Sequence, residues 1–188
     1  MTKGLLTNAV LTNTVTSAVV VLMMTTMVAA QKTTPVHPGT AGSPHDRTEW
    51  TVDGANISIE YGRPYLKSRT VGKEVAPFGK EWRTGADQAT TLKTDKPLKF
   101  GSLAVPAGTY TLYTVPNESG WQLIVSKKTG QWGIPYPAGE DLGRAPMTVG
   151  KTSAPVEQLT FGIDDTPAGA TLRVEWGTTK ASIPFTIG

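Results

Sequence analysis

The chain has 188 residues, with 18 Lys and Arg against 15 Asp and Glu, two histidines and no cysteine. The missing cysteine excludes a disulfide framework and a lipid-modified cysteine anchor, and two histidines do not make a common zinc site. The charges are scattered without a basic stripe, so a net charge of +3 carries no nucleic-acid footprint and nucleic acid is not an expected partner.

The first thirty residues stand apart from the rest. Lys3 is their only charge, Val15 to Val28 is apolar or Ser/Thr, and Val28-Ala29-Ala30 supplies small residues for a cleavage site. This predicts a Sec-type signal peptide over residues 1–30, cut after Ala30, and hence a secreted or periplasmic protein with no stable membrane insertion once the leader is gone. A retained membrane span is the alternative, and the threonines at 12, 14, 16, 25 and 26 weaken it. Without Lys3, seventeen basic residues face fifteen acidic ones.

Gln31 to Pro44 reads as a linker, since Thr33-Thr34-Pro35, His37-Pro38-Gly39 and Gly42-Ser43-Pro44 give no period. A single domain is expected over residues 45–188. Trp50 and Val52 lead into Asp53-Gly54, a two-residue hairpin signal. Ala55, Ile57, Ile59 and Tyr61 then alternate with Asn56, Ser58 and Glu60, the mark of a strand with one buried face. Tyr61-Gly62-Arg63-Pro64 ends that strand and opens an irregular connection that runs to Trp82-Arg83-Thr84-Gly85-Ala86-Asp87, where Gly85 is free to make a tight turn.

Strands return from Thr90. Short segments around Leu98-Lys99-Phe100 and Leu103-Ala104-Val105 precede Thr109 to Val115, whose threonines, aromatics and aliphatics suit burial on both faces. Pro116 to Gly120 turns this segment into Trp121 to Ser126, and residues 109–126 form the expected centre of the sheet. Residues 129–144 lose their period again and hold Trp132, Tyr136, Glu140, Asp141 and Arg144. Three alternating segments close the chain: Leu159 to Ile163, Leu172 to Trp176, and Ala181 to Ile187. Gly177 to Lys180 is the expected hairpin between the last two, and Pro184 marks the final strand as an edge. Short strands with turns every eight to twelve residues and no helical period predict an all-β fold, an antiparallel β-sandwich of jelly-roll or Ig-like type with two long irregular connections.

Several of these motifs occur together in one known family. Ser43-Pro44-His45, Tyr61-Gly62-Arg63-Pro64, Arg69, Trp82-Arg83-Thr84-Gly85-Ala86, Ala89-Thr90, Pro106-Ala107-Gly108-Thr109-Tyr110, and Trp132-Gly133 through Asp141 and Arg144 carry the likeness. From Ser43 to the C-terminus the chain resembles the secreted bacterial family catalogued as domain of unknown function 2911. The resemblance implies topology and compartment, and no activity. Thr70 to Pro77 and Pro137-Ala138-Gly139 depart from the family pattern, both within irregular stretches.

Candidate chemistry concentrates in those stretches, since long connections inside compact domains are often functional. Arg63, Arg69, Arg83 and Arg144, together with Tyr61, Trp82, Trp132 and Tyr136, suggest a pocket for a small anionic or sugar-like ligand, because guanidinium groups recognise carboxylates bidentately and aromatics supply apolar walls. Trp121 and Trp176 lie on strand patterns and read as core. Asp87 and Asp141 are the candidate carboxylate pair of a glycan-acting hydrolase. Against that, Arg83 with Asp87 and Arg144 with Asp141 read as ion pairs that hold the loops. Arg83 is expected to be buried against carbonyls or Asp87, and Arg63 to point into a cleft.

His45 is the one imidazole available to a nucleophilic triad, but the Gly-x-Ser-x-Gly elbow is absent, and anchoring the first ordered residues is its other reading. Calcium would have only Asp164-Asp165 or Glu140-Asp141, adjacent acids of a kind usually solvated in turns. No metal or cofactor is expected. The readings that remain are a ligand-binding or accessory domain of the cell envelope, a glycan hydrolase, and an interaction module that pairs through an exposed edge near Ile183.

Overall fold

A computed structural model describes residues 30–40 and 42–188. Apart from Ala30, the expected signal peptide lies outside the described residues. Among the described residues there are ten strands: β1 (Gln31–His37), β2 (His45–Val52), β3 (Ala55–Gly62), β4 (Ala86–Thr94), β5 (Leu98–Phe100), β6 (Leu103–Val105), β7 (Gly108–Val115), β8 (Trp121–Ser126), β9 (Asp141–Thr166) and β10 (Gly169–Ile187). All pair antiparallel in one continuous order, β1-β2-β3-β4-β7-β8-β9-β10-β5-β6. The protein is all-β, and the β7–β8 hairpin lies at the middle of the order, as its double-sided burial predicts.

Local chemistry accounts for the well-patterned strands. Asp53 and Gly54 both take positive φ, 46° and 72°, as the tightest antiparallel turn requires. On β3 the apolar set Ala55, Ile57, Ile59 and Tyr61 is buried. The sheet cannot be flat, because β3 and β9 stand four places apart in the order and yet touch. The Tyr61 hydroxyl accepts a hydrogen bond from the Phe161 amide at 3.0 Å, and the two rings meet edge to face at 4.8 Å. Residues from β2 through β10 therefore share one core, each large side chain in it contributing about 1.5–3 kcal/mol of burial.

Four elements differ from expectation. Residues 31–37, expected as linker, form β1 on the outside of β2, with every side chain exposed. The last two expected strands are one, β10. Its expected hairpin at Gly177 to Lys180 is a pair of register shifts against β9 at 175–177 and 177–179. β9 is far longer than Leu159 to Ile163, running first beside β8 and then beside β10. Pro184 does not mark an edge, because β10 lies between β9 and β5. It falls between the Ser182–Thr148 and Thr186–Lys99 register pairs, where no ladder needs its missing amide hydrogen. Ile183 is buried, and the outer strands of the order are β1 and β6.

The connection from 63 to 85 is pinned at both ends by short pieces of backbone pairing. Leu66 donates to the Glu157 carbonyl at 2.7 Å and Leu159 to the Pro64 carbonyl at 3.1 Å, while Trp82 and Thr114 exchange bonds of 2.8 and 2.9 Å. Arg63 reinforces the first pin. Its guanidinium bonds Asp46 at 2.6 Å, the Leu159 carbonyl at 3.1 Å and the Thr160 hydroxyl at 3.3 Å. Arg63→Ala strands the Asp46 carboxylate in a largely buried place, so urea melts should show a loss of about 2–4 kcal/mol. A melt within 0.5 kcal/mol of the parent, about the range of ordinary surface changes, would contradict this role.

Candidate functional site

The pinned connection, the turn before β4 and the loop before β9 enclose a cleft of about 550 Å³. Its polar lining includes Lys67, Arg69 and Arg83, and its apolar lining includes Tyr65, Trp82 and Ile134. The size falls within the range of small-ligand sites. Trp82 forms part of the wall, stacked on Trp176 at 5.8 Å and meeting Trp121 edge-on at 6.1 Å. Trp121 and Trp176 are core, as expected.

The turn that presents Arg83 is strained. Thr84, a β-branched residue, has φ of 48°, and Asp87 has 58°. Thr84 is wholly buried and held in place: its hydroxyl donates to the Trp82 carbonyl at 3.1 Å, and its carbonyl accepts from the Thr90 hydroxyl at 2.9 Å. Gly85, within this turn, does not take positive φ. It is needed for close approach, since a Cβ there would lie 2.8 Å from the Thr90 hydroxyl and 3.2 Å from the Gly62 carbonyl. Lys67 and Ala76, both on the cleft, also take positive φ, 55° and 48°. Of the five non-glycine left-handed residues among the described residues, two line this cleft and Thr84 lies between its lining residues Arg83 and Gly85, and stored backbone strain of that kind gathers at functional sites.

Arg83 is not buried against Asp87. Its guanidinium stacks over the Trp132 ring at 5.1 Å and donates one bond, to the Trp132 carbonyl at 3.0 Å. Burial lowers its pKa, with Asp87 and Tyr113 opposing the shift. Arg69 holds the Tyr65 carbonyl at 2.5 Å and the Leu66 carbonyl at 3.1 Å. The one acid on the cleft, Glu74, accepts from the Thr70 amide at 2.9 Å.

The remaining sequence candidates sit elsewhere. Tyr61 is core, and Arg63 is the fixed fork described above rather than a group pointing into the cleft, while Arg83 bonds a main-chain carbonyl as expected. Asp87 accepts from the Thr40 amide at 2.7 Å and lies 3.4 Å from the buried imidazole of His45. Tyr136, Asp141 and Arg144 form a separate network. Tyr136 donates to Asp141, Arg144 reaches Asp141 at 2.7 Å and the Tyr136 oxygen at 3.0 Å, and the Tyr136 ring packs edge-on against Tyr113 at 5.0 Å. Burial first, and then the Asp141 carboxylate, push the Tyr136 phenol up to about 12.

Asp87 and Asp141 belong to separate networks, Asp87 with the Thr40 amide and His45 and Asp141 with Tyr136 and Arg144. Among the described residues no serine hydroxyl bonds His45, whose ring stacks on His37 at 4.1 Å. Sequence reasoning missed Tyr65, Lys67 and Ile134. Tyr65 directly follows the Tyr-Gly-Arg-Pro motif, and Ile134 directly follows Trp132-Gly133, so proximity to the motifs was the available signal.

An all-β domain with one antiparallel sheet and a cationic cleft beside a strained turn is the class that fold and site define. The chain belongs to the family described as Protein of unknown function (DUF2911), whose model matches residues 43–185, from the end of the β1–β2 loop to near the end of β10. No curated protein and no solved structure matches it.

The His45 imidazole carries a pH consequence. Burial, with help from His37, holds its pKa below the ordinary value of 6.5, against the opposing pull of Asp87 and Glu60. Below pH 6.5 the unfolded chain binds a proton that the native state resists, so this contribution is present above 6.5 and lost as the pH falls. Urea melts at pH 7.5 and pH 5 should show a larger acid loss for the parent than for His45→Gln. Parallel losses would contradict the assignment.

Proposed function

We propose that this domain binds a small organic anion in the cleft, with Arg83 as the principal contact and Lys67 and Arg69 beside it. One observation carries the reading. Of the six arginines, Arg47, Arg63, Arg144 and Arg173 pair with carboxylates, and the two with no ion pair among the described residues, Arg69 and Arg83, both line the cleft. A partly buried guanidinium has lost solvation that no carboxylate replaces, and a bound anion restores it through the planar fork. A sugar face is less well served, since Trp82 is stacked between other indoles, Tyr136 packs on Tyr113, and one face of Trp132 carries Arg83.

Export of the chain belongs to the same proposal. Its support is the leader pattern of residues 1–30. Mass spectrometry of the protein recovered from periplasm or medium should find Gln31 first. Met1 retained on membrane-bound protein would contradict it.

Titration calorimetry with benzoate and with inorganic phosphate tests the cleft. One site per chain is expected, and Arg83→Gln should weaken it about 10–100-fold, the worth of a charge-assisted hydrogen bond. The same variant should melt close to the parent, because it leaves no partner charge unpaired. Binding unchanged in Arg83→Gln would overturn the proposal.

A further inference from the structure

The surroundings of the cleft narrow its ligand. Among the described residues five large hydrophobic side chains are exposed: Val36 at 42%, Tyr65 at 42%, Phe78 at 40%, Trp132 at 47% and Ile134 at 66%. Tyr65 and Ile134 line the cleft, Phe78 follows its lining residues Val75 and Ala76 by two positions, and Trp132 lies under Arg83. Only Val36, on β1, lies apart. Scattered exposed hydrophobics need no explanation, whereas a group that shares one border marks a binding surface. Tyr65 and Ile134 line the same cleft as Arg69 and Arg83, the two arginines without ion pairs among the described residues.

Trp132, Phe78 and Tyr65 stand on segments held in place by the fold. Gln131, beside Trp132, accepts from the Ala89 amide at 3.2 Å, and Gly133, on its other side, accepts from the Tyr113 hydroxyl at 3.4 Å. The Phe78 ring covers Gly72, where a Cβ would meet it at 2.3 Å, and the Phe78 amide donates to the Gly72 carbonyl at 3.2 Å. The Tyr65 carbonyl is gripped by Arg69. The apolar rim is thus built into the same loops that place the cations. Inside the rim the wall continues apolar through Val75, Ala76, Trp82 and Trp176.

From this juxtaposition we infer that the ligand is an anionic amphiphile: a carboxylate or phosphate head on Arg83, with an aliphatic chain laid across Trp82, Ile134 and Tyr65. The inference rests on the anion-binding reading above and adds the apolar body. A compact inorganic anion would use the cations and leave the rim in water. A neutral lipid would cover the rim and leave the unpaired guanidinium desolvated. Only a molecule with both parts satisfies both features of the site.

The test uses the purified protein and decanoate kept monomeric, with butyrate, decyl maltoside and phosphatidylglycerol vesicles as comparisons. Each buried methylene is worth about fourfold in affinity, so decanoate should bind at one site at least tenfold more tightly than butyrate. Arg83→Gln should weaken both carboxylates, and Ile134→Ser should weaken decanoate while leaving butyrate unchanged. Val36→Ser, which alters the exposed hydrophobic away from the cleft, should change neither. Decanoate no tighter than butyrate would overturn this inference and leave the anion-binding reading standing. Failure of butyrate, benzoate, phosphate and decanoate alike would overturn that reading and this one with it. Decyl maltoside equal to decanoate, or binding to vesicles alone, would also overturn the amphiphile, the first as unspecific apolar association and the second as surface docking.

Discussion

The cleft depends on how one long connection is fastened to the sheet. Residues 63–85 leave β3 and return to β4, its sheet neighbour, yet the route passes over β9 and β7. Two short pairings, Pro64 and Leu66 with residues 157–159 and Trp82 with Thr114, fix where it crosses. Arg63 locks the first of these through Asp46 and the Leu159 carbonyl. The second places Trp82 against Trp176 and starts the turn that presents Arg83. A sheet that curls until Tyr61 meets Phe161 brings both anchor points within reach of one loop.

Charge is distributed according to that fastening. At 63 and 144 a carboxylate accompanies the arginine and counters its charge within the fold. Where no carboxylate accompanies it, at 69 and 83, the guanidinium stands on the cleft. Arg83 gains part of its support from the Trp132 ring, a cation–π contact that holds its plane without neutralising its charge. The strained φ of Thr84 is maintained by three buried threonine hydroxyls, those of Thr84, Thr90 and Thr114. The turn is therefore set before any ligand arrives.

Some of this could be read from the amino-acid sequence, and the reasons are physical. β3 alternates strictly because one of its faces is core, and the β7–β8 hairpin is apolar on both faces because each is covered, one by the main core and the other by the small cluster of Ala89, Tyr113 and Ile124. β1 and the middle of β9 gave no signal because their side chains are mostly exposed, so no period records the pairing. The bulges of β10 at Gly177 look like a turn in sequence because both features favour glycine and small polar residues. The two irregular connections were recognisable in sequence, and residues of both line the cleft. Which arginine served structure and which the cleft was not, since Asp46 and Asp87 are equally plausible partners in sequence. Only the β2–β3 register, with His45 opposite Gly62 and Asp46 opposite Tyr61, puts Asp46 beside Arg63.

The account rests on Arg83 being the cation that receives the ligand. A crystal structure with 4-bromobenzoate, its bromine located by anomalous scattering, tests that placement directly. The account requires the carboxylate within hydrogen-bond distance of Arg83 and the ring against Trp82 or Ile134. A carboxylate seated instead on Arg144 beside Tyr136, with the cleft empty at saturating concentration, would contradict it.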